Sequence, residues 1–323
     1  MQKISDYSLI VESAFKNIRF IPAEPSGLYD PAVYALGAGG KQLRPSLLLM
    51  TADSFGGEKG VENAIHPALG IETFHNFTLL HDDVMDNSDT RRGRPTVHVR
   101  WDVNTAILSG DAMLTLATRE IAFVPDTYLR RVLDVFNSMA LEVYEGQRFD
   151  MDFEEMSEID EEAYIEMIRR KTGALLGASA EIGAIVGGAS GKDCVLMKEF
   201  GNMLGIAFQI QDDWLDTFGD AATFGKPIGG DILNDKKTYL WVQAMKGESG
   251  DVEALSAAME LKGDVKIRTV THLYEKMNLS EKCRKAVGHY SSKALTALKK
   301  TSLPEDRKES FRLLVEKLTG RKK

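Results

Sequence analysis

The sequence predicts an all-α protein, and three observations support this. Nearly every segment repeats its apolar residues with helical period, alternating strand patterns with Asn-Gly or Asp-Gly turns are absent, and no Pro- or Ser-rich linker divides the 323 residues. We therefore expect one domain over residues 1–323, a bundle of about ten or more helices, to which the family resemblance described below adds a central active-site cavity.

The predicted helices follow one another along the chain. In 130–149, for example, the residues predicted to fall on one apolar side are Val132, Val135, Phe136, Met139, Leu141 and Val143. The other predicted helical segments are 61–86, 104–123, 161–187, 193–218, 236–246, 251–261, 264–277, 280–299 and 305–319. Ser157, Asp264 and Ser280 are predicted to mark helix starts, because side-chain oxygens cap helix N-termini. The glycine-rich pieces 37–42, 90–96 and 224–231 are predicted to be loops.

Composition excludes several classes of function. The formal charge of -8 argues against nucleic-acid binding, so anionic ligands need a local basic cluster or a metal. Two cysteines, Cys194 and Cys283, do not make a disulfide framework. No apolar stretch reaches the roughly 18 residues of a membrane span, and the amphipathic N-terminus does not resemble a signal peptide. We expect a cytoplasmic enzyme without a membrane span.

Two aspartate clusters of the form DDxxD occur inside apolar helical segments. Their members are Asp82, Asp83 and Asp86 in the first, and Asp212, Asp213 and Asp216 in the second. Positions i and i+4 share a helix face, so the like charges repel unless a cation lies between them. Magnesium takes one or two carboxylates together with phosphate oxygens, so the clusters could hold a diphosphate through several ions. The alternative interpretation of such a cluster is an acidic helix face exposed to solvent. The presence of a second cluster of the same form makes this interpretation less favourable than a metal site.

Basic residues accompany both clusters. They are Lys41, Arg44, Arg91, Arg92, Arg94, Lys171, Lys226, Lys236 and Lys237. Arginine suits bidentate phosphate contacts and lysine acts as a point charge, while neighbouring glycines let the backbone approach a ligand. Any one of them alone reads more simply as a surface charge. Together, in an acidic chain, they predict two diphosphate sites, one metal-mediated and one purely basic.

At this point the sequence resembles the trans-isoprenyl diphosphate synthase (polyprenyl synthetase) family. The resemblance rests on GGKQLRP (39–45), LLHDDVMDNSDTRRGRPTVH (79–98), Lys171-Thr172, FQIQDDWLDTFGD (208–220) and GKPIGGDILNDK (225–236). It extends from about residue 30 to 240, and beyond that only the helical character is shared. It implies the isoprenoid synthase fold, a homodimer and Mg²⁺, with three ions per active site. It also implies isopentenyl diphosphate and an allylic diphosphate (dimethylallyl, geranyl or farnesyl) as substrates, joined head-to-tail by ionisation, condensation and elimination.

The resemblance implies a role for each matching residue. Magnesium ligands are Asp82, Asp86, Asp212 and Asp216, with Asp83 and Asp213 in support. The allylic diphosphate site comprises Arg91, Lys171, Lys226 and Lys236, and the isopentenyl diphosphate site comprises Lys41, Arg44, His75 and Arg92. Thr172 and Gln209 resemble groups near the reacting carbons. The loop at Lys226 is one residue longer than in some members. His81 is expected to be structural. The C-terminal Arg321-Lys322-Lys323 is expected to be a solvated basic tail, with a flap closing over diphosphate as the alternative.

Two other functions share some of these features. A class I terpene cyclase also carries DDxxD, but its second metal motif differs and it lacks a second diphosphate site. A non-catalytic partner subunit would be expected to have lost aspartates, and both clusters are intact. A prenyltransferase therefore remains the prediction.

Product length is predicted from the helix that precedes the first cluster. At about 1.5 Å rise per residue, Phe77 lies roughly 7–8 Å and Phe74 roughly 12 Å below Asp82. Helical geometry alone nominates Phe74 as the floor, whereas the resemblance nominates Phe77 beside the small Thr78. That pattern is similar to geranylgeranyl (C20) synthases, with farnesyl (C15) as the alternative. Plain core packing of both rings is the competing interpretation.

Overall fold

The computed structural model describes residues 4–17, 20–220 and 228–320. The helices are α1 (Ile4–Asn17), α2 (Ser26–Leu36), α3 (Leu43–Met85), α4 (Val97–Arg100), α5 (Val103–Ile121), α6 (Asp126–Glu154), α7 (Glu161–Ile168), α8 (Ala174–Val186), α9 (Gly191–Phe218), α10 (Gly230–Leu233), α11 (Tyr239–Ala244), α12 (Ser249–Met259), α13 (Gly263–Lys276), α14 (Leu279–Lys299) and α15 (Glu305–Thr319). A π-helical turn, Arg169–Gly173, joins α7 to α8. Two short strands, β1 (Thr90–Arg91) and β2 (Arg94–Pro95), pair antiparallel. The predicted all-α fold is confirmed.

Helix α3 is longer than the sequence pattern predicts, because it begins at Leu43 and not at residue 61. Its first half is buried all round, from Pro45 to Ala52, so it lacks the polar face on which a periodicity argument depends. Gly57 interrupts the helix with φ 58° and ψ -148°, a conformation that glycine adopts without steric cost. The break explains why the pattern restarts near residue 61.

The three helix starts proposed from the sequence are wrong. Asp160, and not Ser157, caps α7, where its side chain accepts a hydrogen bond from the Ala163 N–H at 2.7 Å. Asp264 lies inside the first turn of α13, after the cap position at Lys262. Ser280 lies inside α14, where its hydroxyl accepts a hydrogen bond from Trp214 Nε1 at 2.8 Å. The hydroxyl of Ser280, which was predicted to cap the helix, therefore binds a residue distant in sequence instead.

The described residues group into two compact units. Unit 1 contains the described residues within 1–138, 178–198 and 301–310, and unit 2 contains those within 139–177, 199–300 and 311–323. In unit 1, α3 packs along α5, and α1 and α2 cover this pair. A Cβ on Gly70 of α3 would lie 2.8 Å from the Ala117 carbonyl oxygen of α5. Only glycine at this point allows the two backbones to approach so closely.

Unit 2 packs α11 against α7 and α14, and α13 against α12 and α14. Glu161 at the start of α7 accepts hydrogen bonds from Tyr239 Oη and Gln243 Nε2 of α11, at 2.9 and 2.7 Å. The core of this unit includes Trp214, Leu240, Val270 and Cys283. Single-domain organisation over the full chain stays a prediction.

Two further features bear on the protein's class. Among the helices of the described residues, none has the length and apolar character to cross a bilayer. Cys194 and Cys283 are buried free thiols.

Candidate active site

The first aspartate cluster lies at the C-terminal end of α3. Asp82 is half-buried, Asp83 buried and Asp86 exposed. Arg91 binds Asp83 from the β1–β2 turn: its Nε lies 2.8 and 2.9 Å from the two carboxylate oxygens, and its Nη2 lies 2.7 Å from Oδ1. Burial raises the pKa of Asp83, and Arg91 opposes that shift. The middle aspartate therefore fixes Arg91, while Asp82 and Asp86 form the i,i+4 pair that was predicted to bind metal.

A basic cluster combines the first turn of α3, which carries Arg44, with His75, two turns before Asp82, and with Arg92 at the β1–β2 turn. Arg44 Nη1 lies 3.1 Å from His75 Nε2, and the buried Arg44 Nε has no hydrogen-bond partner among the described residues. Burial lowers the pKa of Arg44 to about 10 and that of His75 well below its usual value. The Arg92 guanidinium lies against Gly40, where a Cβ would be 2.8 Å from Nη1. Arg44, His75 and Arg92 therefore form a cationic site, and the exposed Lys41 adjoins it in sequence.

The second cluster lies in the last two turns of α9. Asp213 is buried and accepts hydrogen bonds from Tyr164 Oη, from Gln209 Nε2 at 3.0 Å and from the Tyr239 N–H at 2.9 Å. Burial raises its pKa to about 6, against these hydrogen bonds. As in the first cluster, the middle aspartate is bound by groups of the protein itself. Asp212 and Asp216, on either side of it, remain the candidate metal ligands.

The loop after α9 brings a further aspartate to this cluster. The Asp231 N–H donates to Asp216 Oδ2 at 3.0 Å, and the Gly229 N–H donates to the Asp216 backbone oxygen at 2.7 Å. Withdrawal from solvent, and then the charge of Asp216, raise the pKa of Asp231. Sequence reasoning missed Asp231 as a site residue, although it lies in the quoted GKPIGGD stretch. The Lys236 N–H donates to the Asp231 backbone oxygen at 3.0 Å, which places Lys236 at the same loop.

The π-helical turn carries Lys171 and Thr172. Thr172 Oγ1 donates to Gln209 Oε1 at 3.0 Å, which extends the Asp213 network to the π-turn. Lys171 Nζ donates to Asp150 at 2.6 Å. Single π-turns are frequent at functional sites, because the extra residue re-aims the side chains around it. Sequence periodicity does not distinguish this turn from an ordinary α-helix.

The turn is seated on two glycines. Gly146 of α6 lies against the Lys171 backbone, where a Cβ would come 2.7 Å from the Lys171 Cα. A Cβ on Gly205 of α9 would lie 2.5 Å from the Gly173 Cα. Neither position has room for a methyl group, so the π-helical turn can occupy this place only if both residues are glycine.

The donor chemistry of both clusters fits magnesium. Among the described residues, no three Asp, Glu, His or Cys side chains form a ready-made metal cluster. Magnesium does not require one, since it typically binds one or two carboxylates and completes its shell with water and substrate phosphates. Burial, and then the charge of Asp216, raise the pKa of Asp231, and burial is likewise the main cause of the raised pKa of Asp83. A cation bound nearby would lower both pKa values.

The residues predicted to set product length are packed on α3. Phe74 is fully buried between Phe77 and Phe136, with ring centroids 5.5 and 5.4 Å away. Phe77 also packs edge-on against His81, 4.8 Å away, and Thr78 Oγ1 donates to the His75 carbonyl oxygen at 2.8 Å. His81 itself rests on Gly110 of α5 and contacts the Ile107 carbonyl oxygen. These contacts agree with a structural role for His81.

Two sets of predicted residues lie outside the described part of the chain. They are Lys226 and the C-terminal Arg321, Lys322 and Lys323. Their roles, like those of the other site residues, stay predictions. Sequence reasoning also did not identify Asp150, Tyr164 or Glu72, which are single polar residues within helices and carry no local signal.

Comparison with known proteins agrees with this geometry. The sequence model of the polyprenyl synthetase family matches residues 25–277. A geranylgeranyl diphosphate synthase of Sulfolobus acidocaldarius is 41% identical over 231 residues, which covers 70% of this chain and 69% of the relative. A geranylfarnesyl diphosphate synthase of Aeropyrum pernix is 40% identical over 232 residues, covering 70% and 73%.

Solved structures are similar over the whole chain. A crystal structure of a geranylgeranyl pyrophosphate synthase has a TM-score of 0.93 and 38% identity, and the match covers 100% of both chains. A geranylgeranyl pyrophosphate synthase of Corynebacterium glutamicum, complexed with isoprenyl diphosphate and magnesium, has a TM-score of 0.88 and 26% identity with the same coverage.

An all-α fold with two DDxxD clusters and a basic cluster defines a prenyltransferase of the isoprenoid synthase class. The chain belongs to the polyprenyl synthetase family. The family, the fold and the prenyltransferase reaction predicted from the sequence are thereby confirmed, and the family is in general magnesium-dependent.

Proposed function

We propose that this enzyme joins isopentenyl diphosphate to allylic diphosphates and releases mainly geranylgeranyl diphosphate. The observation that carries the proposal is the division of labour among charged residues. The middle aspartates, Asp83 and Asp213, hold Arg91 and Tyr164. The outer aspartates of each cluster share a helix face and offer carboxylate oxygens of the type that magnesium binds, and one of them, Asp216, also accepts from the Asp231 N–H. Arg44, His75 and Arg92 form a separate cationic site. Two chemically different diphosphate sites are what a condensation of two diphosphates requires.

The basic cluster binds isopentenyl diphosphate. Arg44 and Arg92 supply planar donors that match phosphate oxygens, and Lys41 adds a point charge. The orphaned Nε of Arg44 has its donor ready for such an oxygen. His75 is neutral and orients Arg44 through its Nε2.

We infer that the allylic diphosphate binds at Arg91, Lys171, Lys226 and Lys236. Magnesium, three ions in all, would be held by Asp82, Asp86, Asp212 and Asp216. Bound magnesium supplies positive charge that stabilises diphosphate as it leaves. Arg91 and Lys171 are already oriented by Asp83 and Asp150, so they stabilise the same charge without reorganisation. Their partners keep the two cations in place in the absence of substrate.

Condensation follows loss of the allylic diphosphate. The double bond of isopentenyl diphosphate attacks the allylic cation, and the new cation loses a proton to the departed diphosphate. Thr172 Oγ1 and Gln209 Oε1 present oxygen lone pairs at the π-turn. We infer that these oxygens stabilise the cationic carbon by charge–dipole attraction, while the network to Asp213 holds their orientation.

We infer a C20 product from Phe77 and Thr78, with Phe74 packed behind Phe77 as a second ring. Relatives include both geranylgeranyl and geranylfarnesyl diphosphate synthases, and sizing of the products by chromatography distinguishes these chain lengths. A C15 product would require the end of the product cavity to lie closer to Asp82 than the ring of Phe77, five residues before it.

We also infer that the enzyme is a homodimer formed through α5. This helix exposes Val103, Ile107 and Leu108, of which Leu108 is 60% exposed. Exposed apolar side chains grouped on one helix are typical of an interaction surface. A self-complementary surface of this kind gives a closed dimer. The cytoplasmic location stays a prediction.

One assay tests the reaction. Purified protein is incubated with magnesium, isopentenyl diphosphate and dimethylallyl, geranyl or farnesyl diphosphate in turn, and products are sized by chromatography. Chain elongation that stops at C20 is expected. Diphosphate release from the allylic substrate alone would instead indicate a cyclase, and no consumption of either substrate would indicate a non-catalytic subunit.

A further inference from the structure

Glu72 is a buried carboxyl that the proposed reaction does not use. It lies on α3 one turn before His75 and is 6% exposed. Its only hydrogen bonds among the described residues involve Asn76, whose Nδ2 donates to Glu72 Oε1 at 3.3 Å and to the Glu72 backbone oxygen at 2.8 Å. A buried carboxylate with so little support is costly unless nearby charge compensates it.

The compensating charges belong to the basic cluster. Arg44 and Arg92 both stabilise the ionised form of Glu72, although neither comes within ion-pair distance of it among the described residues. Burial outweighs them and raises the pKa of Glu72 to about 7. The carboxyl therefore changes protonation near neutral pH, beside the groups that we assign to isopentenyl diphosphate.

Glu72 also lines a cavity of about 550 Å³. Gly40 and Gln42 line this cavity on the side of the basic cluster, and exposed Glu12 and Lys16 of α1 line it elsewhere. The cavity therefore places Glu72 between the basic cluster and charged residues of α1. The groups that face it are Arg44, His75 and Arg92 on one side, and Glu12 and Lys16 across the cavity.

We propose that Glu72 is a positioning residue that serves as the resting counter-charge of Arg44 and Arg92, and that it takes up a proton when a diphosphate binds to them. This rests on the proposed isopentenyl diphosphate site. The physical reason is that an incoming anion neutralises the guanidinium groups and makes a second buried negative charge unfavourable. Without a ligand, the carboxylate prevents two uncompensated cations from repelling each other.

The direction of the pH dependence follows. Binding of the anion raises the pKa of Glu72, so affinity for isopentenyl diphosphate falls as pH rises above about 7. In Glu72→Gln this dependence is lost, because the amide is a permanent analogue of the protonated acid. At pH 8 the carboxyl of Glu72 is mostly ionised, and the need to protonate it lowers the affinity of the wild type for isopentenyl diphosphate roughly tenfold. The variant should therefore bind isopentenyl diphosphate about tenfold more tightly at this pH.

Isothermal titration calorimetry tests the proposal. Isopentenyl diphosphate is titrated into the full-length protein without magnesium or allylic substrate, at pH 8, in two buffers of different ionisation enthalpy. At this pH phosphate groups are fully ionised, so proton uptake reports the protein. The wild type should take up close to one proton per site, and Glu72→Gln should take up far less. Glu12→Gln, an exposed carboxyl on the same cavity, is the matched control and should behave as wild type.

Each outcome decides something different. Equal proton uptake by the wild type and Glu72→Gln would overturn the role of Glu72 and leave the binding site standing. Absence of binding by the wild type would overturn the site itself, and with it the inference. If Glu72→Gln does not fold, the wild type alone decides at pH 8, since binding without proton uptake would overturn the role of Glu72.

Discussion

The individual aspartates of the two clusters differ in what they contact, and this predicts different consequences of replacing them. Asp82→Ala should lower turnover with magnesium by about three orders of magnitude, because one carboxylate ligand of the metal is lost. The melting temperature should hold or rise, since repulsion with Asp86 disappears. Steady-state kinetics and thermal unfolding measure both effects. Near-normal turnover would show that Asp82 is not a ligand.

Asp83→Asn is the matched control for this variant. It removes the charge that holds Arg91 through three short contacts, so the melting temperature should fall by a few degrees. Turnover should fall less than in Asp82→Ala.

The adjacent Arg91 and Arg92 allow the two diphosphate sites to be separated. Arg92→Lys should raise the KM for isopentenyl diphosphate several-fold more than that for farnesyl diphosphate, because lysine cannot make a bidentate phosphate contact. Arg91→Lys should do the reverse. Initial rates with one substrate varied at a time provide the measurement. Equal effects on both KM values would mean that the sites are not divided in this way.

The floor of the product cavity is also a question about single side chains. Phe77→Ala should lengthen the product beyond C20, and Thr78→Phe should shorten it, because the first removes and the second adds an aromatic ring beside the chain. Phe74→Ala should lengthen it less and destabilise the protein by about 3–5 kcal/mol, since this ring is fully buried. Product chromatography is the measurement. Unchanged products in all three variants would place the floor elsewhere, for example at Met113 or Leu116.

At the scale of elements, the π-helical turn is the feature on which the site most depends. Gly205→Ala would place a methyl group 2.5 Å from the Gly173 Cα, so the turn must shift. We expect a destabilisation of about 1–3 kcal/mol and a lower kcat, since the Thr172–Gln209 hydrogen bond would be lost. Chemical denaturation and kinetics measure the two effects.

Gly288→Ala of α14 is the control for this prediction, because nothing lies within 4 Å of its added Cβ. It should stabilise the protein by about 0.5–1 kcal/mol through helix propensity alone. If Gly205→Ala had the same stability and kcat as Gly288→Ala, the close contact between Gly205 and the π-helical turn would have no importance for function.

Helical periodicity was sufficient for most elements and failed where tertiary contacts decide. The amphipathic helices α13, α14 and α15 lie within one residue of their predicted bounds. The first half of α3 and the π-turn were missed, because a segment buried all round and a single inserted residue both lack a periodic signal. Within the site, the spacing of the DDxxD clusters predicted the candidate ligands. Tyr164 and Asp231 contact the second cluster from other segments of the chain, and the spacing of residues within a motif does not predict such contacts.

At the scale of the whole molecule, the exposed apolar face of α5 predicts the state of association. Leu108→Lys should convert a dimer to a monomer, because it places a charge at the centre of the proposed contact. Light scattering after size exclusion gives the mass. Val195→Lys is the control, since Val195 is 63% exposed on a different helix, α9, and should leave the mass unchanged. A dimeric Leu108→Lys protein would exclude α5 as the interface.

Helix α3 carries His75 of the basic cluster, the two aromatic rings and the aspartates Asp82 and Asp83 on one uninterrupted stretch from Glu72 to Met85. Deleting one residue between His75 and Asp82 would turn everything beyond it by about 100° and shift it by about 1.5 Å, so these two side chains would no longer share a face. Exchanging the side chain of Phe74, Phe77 or Thr78 changes the space along this face and leaves that alignment unchanged. Product length can therefore evolve by point substitution on this helix without displacing His75 from Asp82.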